Sequence, residues 1–311
     1  MALRAGENGQ TALTTRINTA PRLEPRTSIG PKVSAVMPTL RRPHVIGETM
    51  RCLLDGEWTD FELIVQDDGD GRDGTAEAVH AAARGDPRVR YIRNERKLGI
   101  PGNLNAAIRS SRGELIAMCH DHDVYKPSFL PTMVQTLERH PSALFVHCAI
   151  DTITESGTYV RTITNDFREL TRGRDWVEVM LSTLACQVCA LTLVRRSAHE
   201  AHGLYNPEFD FISDVELWMR LSLEGDVAYA REPLIQVRDR EQDHYATNNA
   251  VKLVRRTAAI HRLYLPLVYQ REEVTRRRIR LELETVRSLA SLKASKVRRQ
   301  LGRILSRNQP P

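Results

Sequence analysis

Between residues 32 and 123 short apolar runs alternate with amphipathic ones, and no other feature of the chain restricts its fold as much. "KVSAVMPT", "DFELIVQDD", "VRYIRNE" and "ELIAMCH" read as strands. Between them "HVIGETMRCLLD", "TAEAVHAAARG" and "GNLNAAIRSSRG" carry apolar residues at helical spacing. This order predicts an α/β fold with a mostly parallel sheet flanked by helices. Pro38 is expected to stop the first strand, and Gly113 to cap the third helix.

In such sheets ligands sit beyond the carboxyl ends of the strands. That rule brings Pro38, Thr39, Asp67, Asp68, Arg93, Asn94 and the run His120-Asp121-His122-Asp123 to one edge. Imidazoles and carboxylates are costly to desolvate, so a buried strand running into "HDHD" should present them to something they hold.

Beyond Pro127 the pattern loosens. "SFLPTMVQTLERH" and "SDVELWMRLSLEGD" read as helices, the second with Trp218 on its apolar stripe and therefore in the core. "ALFVHCAIDTI", "YVRTIT" and "CALTLVRRS" read as strands, and "VAYAREPLIQVRD" as one or two short ones. From about residue 246 the chain reads as helical almost to its end.

The net charge of +6 is a property of the tail. Residues 270–311 carry twelve Arg or Lys against four Glu, which leaves the rest of the chain at −2. A basic face for nucleic acid is therefore not expected on the body. Five cysteines, an odd and scattered set, argue against a disulfide framework and for a reducing cytoplasm. Cys186 and Cys189 form a C-x-x-C without a second pair, and "LACQVCALTLV" reads as a buried strand rather than a zinc site. No run reaches the ~20 apolar residues that span a bilayer, and the first thirty residues lack a secretory h-region.

The acidic stretch "LIVQDDGDGRDGT" invites two other readings. A calcium loop begun at Asp68 would put Arg72 and Val79 where oxygen ligands are needed. An aspartyl-phosphatase layout at Asp68 and Asp70 finds no downstream Lys ahead of a second acidic pair. A hydrogen-bonded turn is the plain alternative for residues 67–74.

"KVSAVMPTLRRP", "FELIVQDDGDGRDGT", "GELIAMCHDHDVYKP" and "ISDVELWMRLSLEGD", in that order and spacing, resemble the family 2 glycosyltransferases of GT-A fold. The resemblance runs from about Pro31 to Asp239. It implies metal-assisted, inverting, hexosyl-type transfer from a nucleoside-diphosphate sugar, UDP- or dTDP-linked. The acceptor would be a hydroxyl of a cell-envelope glycan, a lipid-linked saccharide or a small molecule. Residues 31–125 would bind the donor and 126–245 shape the acceptor pocket, between a loose tail at 1–30 and a basic helical extension at 246–311.

The same resemblance assigns roles. Asp68 would accept the pyrimidine N–H, with Pro38, Thr39 and Arg41 adding nucleotide contacts. Asp121 would hold the ribose or a metal-bound water. Asp123, with Asp121 and His122, would ligate Mn²⁺ or Mg²⁺. Two alignments of "HDHD" on the family's D-x-D stand open. An imidazole at His122 favours Mn²⁺ or shifts the load to Asp123, and histidines that merely bond backbone are the alternative. Asp214 would be the catalytic base, against a helix N-cap at that position and a surface ion pair at Glu216.

"KLGIPGNLN" is either a diphosphate loop or, the preferred reading, a tight loop supporting Asp68. Arg238, Arg240 and His244 are diphosphate or acceptor contacts, or a solvated loop. The basic tail fits three uses: a membrane-surface helix at the inner leaflet, a helix docked on the body or another subunit, or a solvated extension. From a different class, the alternative function is a catalytically inactive nucleotide- or sugar-binding protein.

Overall fold

In the computed structural model, residues 20–25, 30–184, 186, 188, 191–239 and 249–307 are described, the side chains of 295–307 excepted. The chain divides into two compact units, Met1–Val177 with Gln187–Arg240, and Glu178–Cys186 with Glu241–Pro311.

The first unit is built on one sheet. Its strands are β1 (Val33–Thr39), β2 (Phe61–Asp67), β3 (Val89–Arg93), β4 (Leu115–Met118) and β5 (Val124–Tyr125). They are followed by β6 (Ala143–Thr154), β7 (Tyr159–Ile163), β8 (Leu170–Thr171), β9 (Thr192–Arg195) and β10 (Asp226–Asp239). The main order is β3-β2-β1-β4-β9-β6-β10-β5, with β7 on β6 and β8 on β10. The long ladders β1–β2 and β6–β10 are parallel, as are β2–β3 and β1–β4. Helices α1 (Ile46–Leu54), α2 (Thr75–Ala83), α3 (Gly99–Ser110) and α4 (Phe129–Arg139) complete the alternation, followed by α5 (Gly173–Leu181), α6 (Arg196–His202) and α7 (Ser213–Glu224). β2 is buried along its whole length, its apolar Phe61 and Leu63–Val65 flanked by Glu62, Gln66 and Asp67, which are buried with hydrogen-bond partners.

Several expectations are corrected by how this sheet is wired. β1 runs through Pro38 to Thr39 instead of stopping. Val36 bonds toward β4, and its ladder with β4 ends at Met118. Pro38, two residues on, turns its missing N–H to that same side, where no strand continues. α3 is closed by Ser111 in extended backbone, and Gly113 serves another purpose. A Cβ at Gly113 would lie 2.4 Å from the Ser34 amide, so only bare backbone fits against β1. Cys186 is exposed and outside any strand, because β9 begins only at Thr192. Cys189 lies outside the described residues. "VAYAREPLIQVRD" forms a single long strand with register shifts near Pro233.

Under β1 and β2 the buried carboxylate of Glu62 accepts from Ser34, Arg90 and Arg112 at 2.6–3.1 Å. Burial alone would raise this carboxyl; the donors hold it below the usual carboxylate range. Trp218 is fully buried, 5.2 Å from Phe145 and 6.2 Å from Tyr205, as its apolar stripe predicts.

The second unit contains α8 (Ala250–Val268) and α9 (Arg271–Arg307), separated at Tyr269 and Gln270. Ala258, Leu265, Val274 and Leu281 form its small core. Among the described residues no helix is long and apolar enough to cross a membrane.

Candidate active site

The carboxyl ends of β1, β2 and β4 do bring their polar residues together. At the end of β2 the two aspartates face different partners. Asp67 accepts from the Gly69 amide at 2.8 Å and the Tyr91 hydroxyl at 2.7 Å. Asp68 accepts from the Leu98 amide at 2.7 Å, the Gly99 amide at 2.9 Å and the Asn94 side chain at 2.8 Å. The amides at the head of α3 therefore hold Asp68, which is the supporting-loop reading of "KLGIPGNLN". They are not aimed at a diphosphate.

Asn103 extends this scaffold. Its carbonyl accepts from Asn94 at 2.8 Å, and its amide donates to the Thr39 and Gln66 carbonyls. One buried side chain thus fixes the ends of β1 and β2 together. Sequence reasoning placed Asn94 at the edge but missed Asn103. The only signal was a pair of polar residues, Asn103 and Asn105, among the apolar positions of α3.

The "HDHD" run forms a chain of hydrogen bonds. Thr39 donates to Asp121 at 2.6 Å, and Asp121 bonds the Nδ1 of His122 at 2.8 Å. Asp123, fully buried, bonds the Nδ1 of His120 at 2.9 Å and accepts from the Arg238 amide at 3.1 Å. The two imidazoles stack, with centroids 5.3 Å apart and planes 9° apart. Burial alone would raise both aspartates; the paired histidines hold Asp121 and Asp123 below the usual carboxylate range. Burial works against a proton on His120, but Asp123 outweighs it and the imidazole is raised above its ordinary value.

This geometry redistributes the expected ligands. His120, His122 and Asp123 each bring one ligand atom within 4.8 Å of the others, a set that can hold a metal ion. Asp121 lies behind it, turned toward Thr39, and fixes the ring of His122 through Nδ1. A carboxylate that orients a ligating imidazole in this way is common around metal ions. His120 thus joins the expected His122 and Asp123 in this cluster, and Asp121 stands outside it.

Asp214 lies in the first turn of α7, half-buried. The N-cap of α7 is Ile212, so Asp214 stands inside the first turn and not at the N-cap position. Glu216 is no surface pair: fully buried, it bonds Arg220 at 2.9 and 3.1 Å, and Arg220 reaches the carbonyls of His202 and Leu204. Burial raises the Asp214 carboxyl above its ordinary value, opposed by local amides and by the charge of His120.

The remaining expectations are less central. Pro38 lies within the β1 end. Arg41 is exposed, with its guanidinium 3.9 Å from Asp70. The guanidinium of Arg238 is bound by Glu48 at 2.6 Å and the Glu155 carbonyl at 3.0 Å, so this residue meets the cluster through its main-chain amide. Arg240 and His244 lie outside the described residues.

Known proteins share this arrangement of elements. The S. aureus TarS 1-349 structure in complex with UDP-GlcNAc superposes with a TM-score of 0.57 over 74% of this chain and 66% of that one, at 16% identity. The mannosyltransferase PcManGT from Pyrobaculum calidifontis, in complex with GDP-Man and Mn²⁺, gives 0.55 over 99% and 91%, at 17% identity. In sequence, the GalNAc(5)-diNAcBac-PP-undecaprenol beta-1,3-glucosyltransferase of Campylobacter jejuni is 28% identical over 122 residues, 39% of either chain. The chain spans about two thirds or less of the length of several curated relatives it matches. The model for glycosyl transferase family 2 matches residues 34–203. The chain belongs to glycosyl transferase family 2 and has the GT-A fold.

Proposed function

We propose that the chain transfers a sugar from a nucleoside-diphosphate sugar to a hydroxyl acceptor at this strand edge. The observation that carries the reading is the convergence of His120, His122 and Asp123, with Asp121 and Thr39 behind them. Donor-bound relatives of the same fold support a nucleotide sugar. The PP-undecaprenol in the name of the Campylobacter relative supports a lipid-linked saccharide among the possible acceptors.

Three donors occupy three of the roughly four acceptor positions of the Asp68 carboxylate, leaving one for an imide N–H of the base. Thr39 gives its proton to Asp121, so its oxygen is left to accept from a ribose hydroxyl. His120, His122 and Asp123 would hold a divalent cation, and a nitrogen-and-oxygen donor set suits Mn²⁺ better than Mg²⁺. Bound there, a cation would supply positive charge to offset the negative charge gathering on the departing diphosphate. Arg238 contributes by fixing Asp123 through its amide.

Asp214 is the base. The acceptor oxygen attacks the anomeric carbon from the face opposite the diphosphate, and the bond from that carbon to the diphosphate oxygen breaks. Asp214 takes the acceptor's hydroxyl proton in the same step, because a sugar hydroxyl is too weak an acid to ionise beforehand. The product has inverted configuration. Asp214→Asn is expected to lower kcat by about 10²- to 10⁴-fold while nucleotide binding stays within twofold. Full turnover in that variant would remove Asp214 from the mechanism.

A further inference from the structure

Helix α9 has two opposite faces with different fates. Val274, Leu281 and Thr285 are buried on one, where Val274 and Leu281 pack with Ala258 and Leu265 of α8. The same side is tied by Arg262 to Glu282 at 2.7 and 2.8 Å, and Arg277 lies 3.7 Å from the Tyr269 ring. On the other face Ile279, Leu283 and Val286 are 59%, 55% and 64% exposed. Steps of four and three residues align them in one stripe. Beside the stripe stand Arg276, Arg280 and Arg287, all exposed and without an ion pair among the described residues. Glu284 lines the same groove, and Glu282, paired with Arg262, flanks the stripe on its other side. Single exposed aliphatics are ordinary on a protein surface, but three aligned beside three unpaired guanidiniums call for a partner.

We propose that this stripe docks on an anionic lipid surface. A second copy of the chain suits it poorly, since pairing the face with itself would set guanidinium against guanidinium. Protein partners are usually gripped through aromatic anchors, and this face offers none. An anionic bilayer answers both halves at once: aliphatic side chains enter the headgroup boundary while arginines meet lipid phosphates. Neither signal suffices alone, so attachment is peripheral and reversible. The inference does not depend on the reaction proposed above.

The test is flotation of the full chain with vesicles of pure phosphatidylcholine and of phosphatidylcholine with a quarter phosphatidylglycerol, at low and physiological salt. The wild type should float only with the anionic vesicles, less so as salt rises. Replacing Arg276, Arg280 and Arg287 by Gln should weaken binding about a hundredfold, near fivefold for each charge. Ile279→Ser with Leu283→Ser should abolish binding with the arginines intact, circular dichroism verifying the helix. No flotation of the wild type overturns the proposal. So does retained binding by the double Ser variant, which would reduce it to charge attraction by the tail at large. A rise in mass without flotation assigns the face to self-association and also overturns it.

Discussion

Asp68 and Asp214 both stand at the head of a helix, yet the fold treats them oppositely. Asp68 approaches α3 from outside, off the end of β2, and two main-chain amides and Asn94 bind it in one orientation. Asp214 belongs to the first turn of α7, where burial outweighs its local amides and raises its carboxyl. A carboxylate meant to recognise a fixed N–H gains from being immobilised. One meant to take a proton gains from an environment that makes its anion less comfortable. The same contrast separates the histidines. His120 and His122 are each paired with an aspartate, whereas His147 is buried among Phe167, Trp176 and Tyr229 with neither ring nitrogen bonded.

The largest stability effects should follow from removing a partner. Glu62→Ala leaves Arg90 and Arg112 facing a hole and should cost about 3–5 kcal/mol, read from urea midpoints. Asp68→Ala strands the Leu98 and Gly99 amides and should cost about 2–4 kcal/mol. By contrast Asp214→Asn should be neutral or mildly stabilising at pH 7. A folded-state pKa above the unfolded one means that ionised Asp214 opposes folding at neutral pH, and the amide removes that term. If Asp214→Asn destabilised the chain as much as Asp68→Ala, the contrast between the two carboxylates would collapse.

Acid pH sharpens the comparison twice. Activity should fall as pH drops through the raised pKa of Asp214, so the acid limb of kcat/KM should lie above the ordinary carboxylate range near 4. Asp214→Asn should abolish that limb along with turnover. Stability should also decline on acidification, for another reason. Burial depresses His147 to about 3 and His199 to about 4, against about 6.5 in an unfolded chain. Below pH 6.5 the unfolded state then binds more protons, and each such histidine costs about 1.4 kcal/mol per pH unit until its folded pKa is reached. His147→Phe should flatten part of that slope in urea titrations at pH 7 and pH 5. The smallest effect belongs to Arg41→Ala, which breaks an exposed 3.9 Å pair and should shift stability by less than about 0.5 kcal/mol.

How much of this the sequence disclosed follows from the physics of each element. The buried strands β1, β2 and β4 carry apolar stretches and the half-exposed edge strand β3 falls at the same βαβ spacing, so all four announce themselves, and the rule for their carboxyl ends delivers Asp68 and the "HDHD" run. Asn103 was invisible because its role depends on where the fold brings Asn94 and the ends of β1 and β2. Glu216 and Arg220 sit four apart on a helix, a spacing shared by exposed pairs, and only packing of α7 reveals that both are buried. Nor does the residue pattern show which oxygen or nitrogen of "HDHD" faces inward. There the path after β4 sets which of these groups converge.

The most direct test of the account is calorimetric titration of the wild type with UDP, dTDP and GDP, each with Mn²⁺, with Mg²⁺ and with EDTA. Asp123→Asn provides the comparison. One diphosphate should bind tightly with metal, Mn²⁺ exceeding Mg²⁺, and should lose that affinity in EDTA and in the variant. Binding that is equally tight in EDTA, or absent for every nucleotide in every condition, would contradict a metal-assisted nucleotide-sugar site at this edge.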